Sequence, residues 1–127
     1  LAVAIASQAR KATVPITVDA EGIGRYSQDV EAAVYFSVLE ALQNVQKYAQ
    51  ASMATVRLRE AEGVLRFEVA DDGVGFDVTV TVKGSGLINM ADRVDALGGT
   101  VDVHSVAGRG TTLVGTLSLP VRVAVPA

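Results

Sequence analysis

Apolar residues recur at helical spacing in one part of the chain and in strict alternation in the next, and the change of period marks out the elements. Val34, Val38, Leu42 and Val45 lie four, four and three apart, an apolar stripe that predicts a long helix laid on a sheet. Ser27 stands before it as a cap, and Asp29 and Glu31 fall in its first turn near the positive end of the dipole. Val56 and Leu58, then Leu65, Phe67 and Val69, alternate with polar residues, which predicts strands over Met53–Arg59 and Val64–Ala70 joined by Glu60–Gly63. Leu87, Met90, Ala91, Val94 and Leu97 return to helical spacing and are stopped by Gly98 and Gly99. Upstream, Leu1, Ile5 and Ala9 predict a helix within Leu1–Ala12 that Pro15 cannot continue, and Ile16–Asp19 is a short strand. Downstream, strands are expected over Thr100–Ser105 and Thr112–Leu119, around a glycine turn at Gly108–Gly110. The glycine-rich stretch Asp72–Gly86 reads as a loop.

Helices and antiparallel strands mixed in this irregular order predict an α+β fold, a two-layer α/β sandwich with a mixed, mostly antiparallel sheet covered on one face by helices. The chain has 127 residues, half of them hydrophobic. That suits one domain, expected over residues 1–120 and followed by a loose tail at 121–127. A net charge of -3 gives no electrostatic footprint for nucleic acid or an anionic membrane, so any phosphate binding must be local. There is no cysteine, which excludes disulfides and thiolate chemistry. The one histidine, His104, cannot build a multi-histidine metal site. No apolar run approaches the roughly 20 residues that span a bilayer, and the start lacks the features of a signal peptide, so a soluble fragment without direct membrane contact is expected.

The chemistry-bearing residues cluster in four places. Glu40, Asn44, Lys47 and Tyr48 project from roughly one side of the long helix, away from its apolar stripe. A carboxylate, a carboxamide and an ammonium there can hold a hydrated divalent cation and a phosphate chain, although an ordinary solvated helix face has the same composition. Asp71-Asp-Gly73-Val-Gly75 ends a strand with a carboxylate among glycines, a place where a ligand can approach the backbone closely, or simply an Asp-Gly turn. Gly84-Ser85-Gly86 precedes a helix whose N–H groups could receive phosphate oxygens, or is a linker and cap. Gly108-Arg-Gly110-Thr111 is a further glycine turn with a hydroxyl at its end.

In this order and spacing the four places resemble the boxes of bacterial sensor histidine kinases. Glu40-Ala-Leu-Gln-Asn44-Val-Gln-Lys47-Tyr48 is similar to their N box, Asp71-Asp-Gly73-Val-Gly75-Phe76 to the G1 box, Gly84-Ser-Gly86-Leu87-Ile-Asn-Met90 to the G2 box, and Gly98-Gly99-Thr100 through Gly108-Arg-Gly110-Thr111-Thr112 to the closing part of the catalytic ATP-binding domain. The resemblance covers nearly the whole chain. It implies the Bergerat ATP-binding fold of the gyrase, chaperone, histidine kinase and mismatch-repair ATPases. A short lid over residues 76–83, with no phenylalanine-bearing box of its own, points to the nitrate-sensor-like subfamily.

Position by position, the resemblance implies that Asp71 binds the adenine amine, with Gly73 and Gly75 shaping the adenine pocket. Asn44 would ligate Mg²⁺ with Glu40 in support, and Lys47 and Tyr48 would face phosphate. Gly84 and Gly86 would form the phosphate-binding hinge of the lid, Leu87 would join the nucleotide site, and Thr111 would lie close to the adenine, directly or through water. Tyr48 departs from the family, which usually has histidine there, and an uncharged phenol is the weaker phosphate partner. The implied function is transfer of the ATP γ-phosphoryl to a histidine on a separate dimerisation domain of a homodimeric, cytoplasmic or membrane-anchored kinase, with a response regulator downstream. His104, in a late strand, does not resemble that acceptor. The alternatives are an anti-sigma-factor serine kinase and a nucleotide-binding regulatory module without transfer activity.

Overall fold

A computed structural model describes residues 1–12, 14–20, 22–45, 52–73, 85–105, 108 and 110–119. Its elements run α1 (Ala2–Arg10), β1 (Ile16–Asp19), α2 (Gln28–Asn44), β2 (Ala54–Ala61), β3 (Val64–Asp71), α3 (Ser85–Asp95), β4 (Thr100–Ser105) and β5 (Thr111–Ser118). The strands form one five-stranded sheet in the order β1-β2-β3-β5-β4. β1 pairs with β2 in parallel and every other pairing is antiparallel, so the sheet is mixed and mostly antiparallel, as the alternation of elements predicts. The proposed tail at 121–127 lies outside the described residues.

The core forms where the two periodicities meet. The α2 stripe of Val34, Val38, Leu42 and Val45 is buried with Val56, Leu58, Leu65, Phe67 and Val69 of the central strands and with Met90 and Val94 of α3. Ser27 caps α2 by accepting from the Val30 N–H at 3.4 Å. Glu31 accepts the Arg25 guanidinium and the Tyr26 N–H, which fixes the approach to the helix. The strands run longer than their apolar alternation indicates. Glu62 and Gly63 both have positive φ, so a two-residue turn lets β2 and β3 pair as far as Ala61 and Val64. Arg59 clips β1 to β2 through Asp19 at 2.6 Å.

At the middle of the sheet a glycine carries the packing. Gly115 stands opposite Phe67 in the β3–β5 ladder. The fully buried Phe67 ring covers it, and a Cβ at Gly115 would run into that ring. Gly115→Ala is therefore expected to destabilise the domain by about 1–3 kcal/mol through overpacking. Phe67→Leu should relieve part of that cost in the double variant, a coupling that denaturant unfolding of the full mutant cycle would measure. Additive losses would mean that the ring and the glycine are independent.

Candidate functional site

Side chains directly opposite one another on adjacent strands share a face, and on the helix-covered face the registers align into rows. One inner row is apolar throughout: Val18, Val56, Val69, Leu113 and Val103. Two residues nearer the end of the sheet, the next row reads Ile16, Ala54, Asp71, Thr111 and Ser105. The covered face thus changes from hydrocarbon to a carboxylate followed on one side by two hydroxyls, on the next two strands.

Burial pushes the Asp71 carboxyl above the ordinary aspartate range. The backbone N–H groups of Gly73 and Thr111 pull it part of the way back, and the adjacent Asp72 charge adds to the upward shift. The Gly73 N–H donates to Asp71 Oδ1 at 2.8 Å and curls the chain back over the carboxylate. Gly110, at φ 88°, lies so close to the Asp71 carbonyl that a Cβ would collide with it. Glycine is required there both for backbone conformation and for room. Thr111 Oγ1 lies 2.8 Å from Ser105 Oγ.

The neighbouring Asp72 does different work. It is exposed, and its carboxylate accepts the Ser52 N–H at 2.8 Å, the Met53 N–H at 3.0 Å and the Ser52 hydroxyl. These bonds, the hydroxyl first, hold its pKa below the usual value. Asp72 thereby ties the start of β2 to the chain leaving β3, beside Asp71. Two consecutive aspartates are thus pushed in opposite directions, one raised by burial and the other committed to the scaffold.

Glu40 and Asn44 fall on the last turns of α2, which packs against β3, and Glu40 is half-buried. The adjacent Ala41 and Val45 are buried in the same apolar cluster as Ala54 and Val69. This sets the C-terminal end of α2 on the face that carries the polar row. Gly86 and Leu87 lie in the first turn of α3, which begins at Ser85, earlier than the apolar spacing indicates. Lys47, Tyr48, Gly75, Gly84 and the lid at 76–83 lie outside the described residues. Among the described residues no cluster of three or more His, Cys, Asp or Glu could hold a metal ion unaided.

His104 alternates with Val103 and Ser105 and is exposed on the opposite face of the sheet. Three polar groups escaped sequence reasoning. Ser105 and the Asp72 clamp depend on pairing between distant segments, which single-strand alternation does not reveal. Ser37, buried on α2 with no hydrogen-bond partner for its hydroxyl among the described residues, interrupts an otherwise apolar face.

A family model described as the histidine kinase-, DNA gyrase B- and HSP90-like ATPase matches residues 29–122. Among curated proteins, the signal transduction histidine-protein kinase/phosphatase DegS of Brevibacillus brevis is 37% identical over 110 residues, 84% of this chain and 28% of DegS. The oxygen sensor histidine kinase NreB of Staphylococcus carnosus is 39% identical over 99 residues, 76% of this chain and 28% of NreB. The chain therefore spans little more than a quarter of the length of either relative. Among solved structures, the histidine kinase domain of the Erythrobacter litoralis blue-light activated kinase superposes with a TM-score of 0.75 at 22% identity, over 93% of this chain and 57% of that one. A mycobacterial sensor histidine kinase, MprB, gives 0.66 at 19% identity, over 91% of this chain and 89% of that one. The sheet order, the polar row at its end and these matches lead to one conclusion: the chain belongs to the family of histidine kinase-, DNA gyrase B- and HSP90-like ATPases, as a domain of the sensor histidine kinase type.

Proposed function

We propose that this domain binds Mg-ATP and presents the γ-phosphoryl group to a histidine on a separate dimerisation domain of a dimeric, cytoplasm-facing sensor kinase, from which a response regulator receives it. The observation that carries this reading is Asp71, a desolvated carboxylate at the end of a central strand. Such a group can accept a hydrogen bond from the adenine amine, and the glycines at 73 and 110 keep the backbone beside it thin. The curated relatives, both histidine kinases by name, support the same reading. Among the described residues no helix is long and apolar enough to cross a membrane.

Glu40 and Asn44 offer one carboxylate and one carboxamide, a set that suits Mg²⁺ held mainly by water and substrate phosphates better than a metal caged by protein alone. The bound ion would supply charge neutralisation along the phosphates. The part of this chain is positional. Asp71 would fix the base, Lys47 would hold phosphate, and the hinge at Gly84 and Gly86, with Leu87 beside it, would receive phosphate oxygens. His104 is exposed on the far face of the sheet from this arrangement, which supports an acceptor on another domain. Tyr48, where the family usually has histidine, favours a second reading, a nucleotide-binding module without transfer activity. Measured turnover separates the two.

Asp71→Asn should abolish the preference for ATP over GTP in calorimetric titrations, with a loss of about 1–3 kcal/mol for ATP. Because folding raises the Asp71 pKa, the domain binds that proton more tightly than the unfolded chain does. Its contribution to stability is full below the unfolded value and is lost as pH rises through the folded one. At neutral pH Asp71→Asn should therefore melt no lower than wild type without nucleotide. A lower melting point together with intact ATP binding would make Asp71 a structural residue.

With Mg-ATP, the chain alone should bind nucleotide and form no phosphohistidine. Adding a helical hairpin with an acceptor histidine, in cis or in trans, should allow labelling, which Glu40→Ala or Asn44→Ala should reduce. Acid-labile, base-stable incorporation of γ-labelled phosphate is the measurement, with His104→Gln as control. Labelling of the chain alone that His104→Gln removes would overturn the separate-domain mechanism.

A further inference from the structure

We propose that the outer edge of β4 is an interaction surface for a second copy of this chain, the two β4 strands pairing antiparallel about a twofold axis at Val103. β4 ends the sheet, with β5 on its inner side and, among the described residues, no strand on its outer side. Alternate backbone N–H and C=O groups of an edge strand point outwards, a template for another strand unless charges, proline or brevity blunt it. The two edges of this sheet differ in that respect. β1 has four residues, follows Pro15 and spends its Asp19 on an ion pair with Arg59. β4 has six residues, Thr100-Val-Asp-Val-His-Ser105, without lysine or proline, and its inward positions, Val101, Val103 and Ser105, carry no charge.

Symmetry and charge select the register. A twofold axis perpendicular to the sheet keeps the helices of both copies on one side, and paired residues must then share a face, so every register is centred on a residue that meets itself. Centred on Asp102, the pairing sets two carboxylates directly opposite, a like-charge contact that destabilises a ladder. Centred on His104, it sets two imidazoles together. Centred on Val103, it places each copy's Asp102 opposite the partner's His104 and brings the two Val103 side chains into contact. Asp102 and His104 are both exposed on the open face, and neither has a hydrogen-bond or ion-pair partner among the described residues. An imidazole N–H donates to a carboxylate whether the ring is neutral or charged, so this pairing holds in both protonation states.

Twofold symmetry makes the Asp102–His104 contact twice, once on each side of Val103. A six-residue strand on each side still buries less than the roughly 1,000 Å² of a stable interface, so the pairing is weak between free chains. It gains weight where two copies are tethered, because tethering on short linkers raises the effective concentration of one edge for the other to about millimolar. The surface does not depend on nucleotide, since neither Asp102 nor His104 belongs to the polar row on the covered face.

The test is sedimentation equilibrium of this chain up to about millimolar concentration, the range that tethering supplies. Wild type should show a reversible monomer–dimer equilibrium. Asp102→His, which opposes two imidazoles, and His104→Asp, which opposes two carboxylates, should each weaken it roughly 2- to 30-fold, the value of two cross-strand pairs. The double swap rebuilds both pairs with the partners exchanged and should restore the dimer, which a merely structural role for either residue would not do. Because the chain has no cysteine, a single introduced thiol reports the register. Val103→Cys should form a disulfide-linked dimer under mild oxidation, whereas Thr100→Cys, roughly 20 Å from its own mate in this register, should not. This trapping decides the matter if a charge variant does not fold. A wild-type chain that stays monomeric throughout, a swap that fails to restore the dimer, or equal trapping at both positions would overturn the proposal.

Discussion

A carboxylate on the covered face of a β-sheet must be supplied with hydrogen-bond donors or surrender its charge, and Asp71 places the domain under that constraint. The structure answers with backbone. β3 ends at Asp71, so the chain can turn and present the Gly73 N–H, while β5 begins opposite it at Thr111. The Gly73 donor is local, whereas Thr111 stands opposite Asp71 only because the chain just before β5 comes very close, and Gly110 permits this by having no side chain. The tight turn after β3 and the tight entry to β5 both close around this one group. The donors moderate the cost of burial without cancelling it, and the pKa stays raised. A residue kept in this condition retains unused capacity to accept, which is what a ligand site needs.

Much of the fold was legible because its elements carry strong periodicity. The α2 stripe, the cap at Ser27 and the alternation in β2 and β3 each report burial along a single segment, and burial is what the sequence pattern encodes. Strand ends were less legible. The extension of β2 to Ala61 depends on Glu62 accepting a left-handed conformation, which glutamate does not advertise. In the site, the glycine-flanked Asp71 stood out because glycine and carboxylate are locally unusual together. Ser105 did not, because a serine ending a strand is ordinary until β5 is known to lie beside it. The same holds for Asp72, whose partners Ser52 and Met53 lie some twenty residues earlier in the chain, and for Gly115, whose reason is the ring of Phe67 on another strand. Contacts between segments are invisible to any reading that moves along the chain.

The strand order also governs when the site comes into existence. β2 and β3 are joined by two residues and can pair early, since little chain entropy is lost in closing so short a turn. β5 reaches β3 only after α3 and β4 have intervened, and β4 can complete the row only once β5 is in place. Loop-closure entropy thus favours a hairpin that already holds Asp71 over any intermediate in which Thr111 and Ser105 stand beside it. A ligand that engages the whole row has nothing complete to bind in a partly formed sheet. Its binding energy is thus credited to the closed domain and not to any one loop, and saturation should slow global opening of the sheet as well as local motion at the site.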